Sequence, residues 1–150
     1  MPRSTLAPLI FLMATVVIAD ARRAEDGCAC PSNAKVKKMD AVLARHLPGM
    51  QGAERKLAVG EALSGTSSLS ESPDLLARVE RESRALSTML AGEQGRTRRV
   101  LESLVTIADA NGEISAREIR VIQAVASALG TPEALMVGAD VWGETILKVA

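Results

Sequence analysis

Residues 6–19 read LAPLIFLMATVVIA, fourteen positions without one charged side chain. A run this apolar has few places to go. A bilayer span needs about 20 such residues, so a transmembrane helix is not expected from this segment. Two readings remain. The run is the hydrophobic part of a cleaved export signal, with Arg3 ahead of it and Ala19-Asp20-Ala21 in the A-x-A form of a cleavage site. Or it is a helix apolar on every face, which must then lie at the centre of a core.

An internal repeat favours the buried helix. Val16-Val17-Ile18-Ala19-Asp20-Ala21 matches Val105-Thr106-Ile107-Ala108-Asp109-Ala110 almost letter for letter. An acidic, glycine-containing stretch follows each copy, Glu25-Asp26-Gly27 in the first and Asn111-Gly112-Glu113 in the second. A serine, Ser32 or Ser115, then opens a helical pattern in which Val36, Met39 and Val42 correspond to Ile119, Ile122 and Val125. The second copy lies where no signal could be, and a cleaved signal has no reason to be half of a duplication.

The chain is long enough, at 150 residues, for one domain burying about 70% of its unfolded surface. Its core has to be aliphatic, because Phe11 and Trp142 are the only aromatic residues. Leu, Ala, Met, Val and Ile in this abundance favour helix. Basic and acidic residues number 18 each, so there is no basic excess of the kind a nucleic-acid footprint requires. The clusters Lys35-Lys37-Lys38 and Arg96-Arg98-Arg99 read as solvated helix faces, ahead of a phosphate or lipid site. Cys28 and Cys30 form a CAC sequence. A disulfide across one residue would be strained, and no second cysteine pair completes a zinc site of the usual spacing.

Spacing and breakers predict helices over about 5–21, 33–47, 52–63, 72–91, 96–110 and 115–129, a short one from Thr131, and a last one around Trp142 to Val149. Ser72-Pro73-Asp74 supplies a start signal and Gly130 a stop. Residues 64–74, SGTSSLSESPD, are the one linker-like stretch. No strand-period alternation is evident, so the fold class expected is all-α, a single domain spanning 1–150. Its parts are a first pseudo-repeat at about 5–47, middle helices at about 52–91, and a second pseudo-repeat at about 96–137.

The turn between residues 107 and 118 invites comparison with a calcium loop. Asp109, Asn111, Gly112, Ile114, Ser115 and Glu118 fall at positions 3, 5, 6, 8, 9 and 12 of such a loop. Position 1, however, is Ile107, which has no side-chain oxygen. The same residues also make an ordinary helix–turn–helix, with Gly112 in a tight turn and Ser115 with Glu118 forming a capping box. In the first repeat Lys35 stands where the second has Glu118, which argues against matched metal sites in the two halves.

Taken together, these features resemble the TerB-like family of tellurite-resistance helical domains. The resemblance rests on Ala110-Asn111-Gly112-Glu113-Ile114-Ser115-Ala116-Arg117-Glu118 through Ala128-Leu129-Gly130-Thr131-Pro132-Glu133. Val17 to Leu47 fits in outline, with a long CAC loop and Lys35 as departures, and Asn111 replaces the family's usual Asp. The resemblance implies about seven helices built from two helix–acidic turn–helix units around a buried first helix. It also implies no enzymatic activity, a role in stress or tellurite resistance, protein partners, and in places association with a membrane. By matching positions it implies a cation site at Asn111, Glu113 and Glu118 with Asp109 adjacent, and Glu25 and Asp26 as the counterparts in the first half. A divalent cation, calcium or magnesium ahead of zinc, is the one cofactor that fits.

The expectation is thus a cytoplasmic, non-catalytic interaction module with no nucleic-acid partner and no small-molecule substrate. The alternative is an exported, periplasmic or secreted helical protein binding calcium through 109–118. The single histidine, His46, sits on a helical pattern beside Leu47, and reads as a packed or surface residue rather than a base.

Overall fold

The computed structural model describes residues 3–19, 22–23, 29–30, 32–69, 73–90, 93–112, 114–139 and 145–149. Six α-helices are found among these residues: α1 (Leu6–Ala19), α2 (Asn33–His46), α3 (Gly52–Ser67), α4 (Leu75–Met89), α5 (Gln94–Ala108) and α6 (Ala116–Ala128). Short 3-10 turns at Arg3–Thr5 and Pro132–Ala134 precede α1 and follow α6. Two small antiparallel ladders complete the structure. One pairs β1 (Arg22–Arg23) with β2 (Ala29–Cys30), and the other pairs β3 (Leu135–Ala139) with β4 (Thr145–Val149).

The apolar opening segment becomes the hub. Every residue from Pro8 to Ile18 is buried, and α1 packs against all five other helices. Pro8 does no harm there. It occupies the third helical position, where the missing N–H would have had no partner within the helix. Thr15, the one hydroxyl in the run, donates to the carbonyl of Phe11 at 2.8 Å, so its own polar group is not stranded in the core. Leu9, Leu12 and Met13 of α1 join Met39 and Leu43 of α2, Leu86 of α4, Leu101 and Leu104 of α5, and Ile122 and Val125 of α6 in one cluster. No helix among the described residues is long and apolar enough to cross a membrane.

The helix ends follow local chemistry. Ser115 caps α6, with its hydroxyl accepting from the Glu118 N–H at 3.2 Å while its own N–H donates to the Glu118 carboxylate at 2.9 Å. At the other end Gly130 takes φ +79°, open to glycine at little cost, and Thr131 N–H donates to Ala126 O while Gly130 N–H donates to Ser127 O. That pair of bonds is a Schellman closure. A forked contact, Arg55 to Asp40 at 2.8 and 3.4 Å, ties α3 to α2.

Three expectations need correction. The helix predicted around Trp142 to Val149 is a strand at 145–149, paired with 135–139, so the fold is a helical bundle carrying small ladders rather than all-helical throughout. Thr145, Ile146 and Val149 are β-branched and Gly138 weakens any helix on the partner side. Two five-residue runs separated by five residues that include Gly143 form a hairpin pattern. Second, α3 continues four residues past the predicted Leu63, into what reads as linker. Third, α4 begins at Leu75, with Asp74 at its boundary; Ser72, the expected cap, lies outside the described residues.

Candidate functional site

Ala108 ends α5 and Asp109 closes it, its N–H bonded to Val105 O at 2.9 Å. The chain then turns within three residues. Gly112 N–H donates to Asp109 O at 3.0 Å, and Gly112 has φ +78°, a left-handed conformation that a side chain would strain. This is the acidic turn the repeat predicts. Asp109 and Asn111 are exposed on it.

Glu118 is not. Its side chain is fully buried, and one carboxylate oxygen accepts from the Lys35 ammonium at 2.8 Å; that ammonium is fully buried too. The same oxygen accepts the Ser115 N–H of the capping box. Lys35 and Glu118 are the two residues the repeat places in register, each at the third position of its helix. A cation at the third position of α2 opposes the helix dipole, and the buried carboxylate offsets it. The two positions that the sequence comparison aligns are therefore in direct contact, 83 residues apart in sequence.

Of the predicted site residues, then, Asp109 and Asn111 share the exposed turn, while Glu118 is turned into the protein and engaged by Lys35. Glu113, Glu25 and Asp26 lie outside the described residues, as does Cys28. Among the described residues no group of three or more His, Cys, Asp or Glu is arranged to hold a metal ion.

A second constellation was not legible in the sequence. The end of α2 and the length of α5 enclose a cleft of about 380 Å³, lined by Arg45, His46, Arg96, Arg99, Glu102 and Ser103 among others. His46 Nε2 lies 2.6 Å from Ser103 Oγ. A serine beside a histidine is the arrangement nucleophilic hydrolysis uses, so the proton positions decide. Ser103 Oγ also lies 2.8 Å from Arg99 O, to which it can donate, and the ring nitrogen then donates in the shorter bond. His46 is also pushed below its ordinary value of 6.5, first by burial and then by neighbouring positive charge, including Arg99 and Arg45. The pair reads as a neutral bridge between helices in an electropositive cleft.

A third feature is the β3–β4 ladder. β4 packs against α5, with Leu147 buried in the core. β3 is the outer strand, and Met136 and Val137 are 57% and 48% exposed. In the described sheet β3 has a neighbour on one side only. Its sequence, Leu-Met-Val-Gly-Ala, has no charge and no proline.

No protein-family model matches the chain, and no curated protein or solved structure is significantly similar to it.

Proposed function

We propose that this chain is a non-catalytic, TerB-like helical module that works by holding a protein partner, and that the partner adds an extended segment to β3. The observation that carries this reading is the unguarded outer strand. Natural sheet edges are protected by lysines, prolines or inward charges, because a bare edge templates the next strand. β3 has none of these devices and exposes two large apolar side chains. Strand addition supplies main-chain hydrogen bonds from the edge and side-chain specificity from alternate residues, which Met136 and Val137, on opposite faces of the strand, can provide.

The acidic turn has an architectural part in this reading. Glu118 caps α6 and neutralises Lys35, so among the described residues a cation attracted to the turn would meet Asp109 and Asn111 at the surface. A role in tellurite resistance or stress response follows from the TerB-like resemblance alone, and growth of a deletion strain under tellurite tests it.

The test of the partner reading uses the full chain as bait in its native cells. The double variant Met136→Lys, Val137→Lys places a charge on each face of the edge while leaving the core side chains in place. We expect a partner recovered stoichiometrically with the wild type to be lost with the variant, with helical content and melting temperature unchanged. Recovery of the same proteins by both, or of none by either, contradicts strand addition at β3.

A further inference from the structure

A groove of about 600 Å³ opens between α3 and α4, floored by the first turns of α1. Leu6, Ala7, Ile10, Phe11, Ala58 and Ala62 make it largely apolar. Among the described side chains one cation reaches into it. Arg78, from the first turn of α4, places its guanidinium carbon 4.5 Å from the centroid of the Phe11 ring. Its Nε is buried and has no hydrogen-bond partner. No carboxylate among the described residues forms an ion pair with it; Glu61 also lines the groove, outside ion-pair distance. A half-buried guanidinium is rarely left this way, because an unmet donor in an apolar setting costs free energy.

We propose that this groove binds a single-chain aliphatic carboxylate, with its head on Arg78 and its tail along the apolar floor. The chemistry of the head follows from the donor. A guanidinium edge matches the two oxygens of a carboxylate. A dianionic phosphate would bring a second negative charge to a groove that Glu61 also lines. The size of the tail follows from the space. A volume of about 600 Å³ is in the range of small-molecule sites. Two turns of a docked helix about 10 Å across would need roughly 850 Å³, so a peptide helix does not fit. The small side chains of Ala58 and Ala62, with Gly65 beside them, leave a slot suited to a flexible chain. This proposal is independent of the edge strand, which lies on other elements.

The probe is sodium decanoate titrated calorimetrically into the full-length protein, with acetate as head alone and decanol as tail alone. Two variants accompany it, each checked for helical content and melting temperature. Arg78→Met keeps the packing on Phe11 and removes the charge; Ala62→Phe fills the slot without touching Arg78. Decanoate should bind saturably to the wild type, roughly tenfold or more weakly to each variant, and more tightly than decanol by a similar factor. Acetate should give no saturable heat. If Arg78→Met does not fold, Ala62→Phe decides alone. Decanoate binding that is absent, that matches decanol, or that survives both variants overturns the proposal.

Discussion

At the scale of single residues, the Lys35–Glu118 pair is the most exacting contact in the molecule. Two charges with no exposed side-chain surface are expensive to desolvate, and their attraction repays that cost only while both are present. Removing one partner takes this contact away from the buried charge that remains. Lys35→Met should therefore destabilise the fold by about 3–5 kcal/mol. Adding Glu118→Gln to it should recover part of that loss, because the amide retains the backbone contact of the capping box without the charge. The loss and recovery would appear as shifts in the urea midpoint. A double variant as unstable as the sum of the two singles would mean that the charges do not act as a pair. The sequence displayed both residues, in register, with opposite sign. It could not show that they touch, since alignment of two repeats says which positions are equivalent and nothing about which ones meet across the core. Lys35 therefore read as the loss of a site, where the structure makes it the partner of Glu118.

Among elements, legibility tracked the length of the pattern. The starts of α2 and α6, with Ser32 and Ser115 at their boundaries, stood in the sequence, as did Gly130, because caps and glycine stops act over a few adjacent residues. The β3–β4 hairpin was missed although its spacing and Gly143 were visible. Five-residue apolar runs do not separate strand from helix by periodicity, and the pairing that settles the matter is tertiary. The seam between α2 and α5 was invisible for the same reason, as His46 and Ser103 are 57 positions apart. That seam carries a pH dependence. His46 in the folded protein lies below 6.5, so the unfolded chain binds its proton more readily. Its contribution to stability is complete above 6.5 and is lost as pH falls through 6.5 toward the folded value. Urea midpoints measured from about pH 7.5 to about pH 5.5 should decline for the wild type, and the decline should be shallower for His46→Gln; carboxylates begin to titrate mainly below that range. Equal slopes for the two proteins would remove the histidine from the account.

For the whole molecule, the governing fact is that the longest charge-free segment is also the most enclosed. α1 meets every other helix among the described residues, and those helices supply the apolar side chains that surround it. Such an arrangement makes the bundle depend on its opening residues: without them α3, α4, α5 and α6 would face a void. An export signal would behave in the opposite way, with the rest of the chain folding independently of it. The measurement that separates the two most directly is native-state hydrogen exchange on the full chain. If α1 is the hub, the amides of Leu12 to Val17 exchange only when the whole protein unfolds, with the same opening free energy as the centre of α5. Fast exchange across those residues, with α5 and α6 still protected, would contradict a core built around α1.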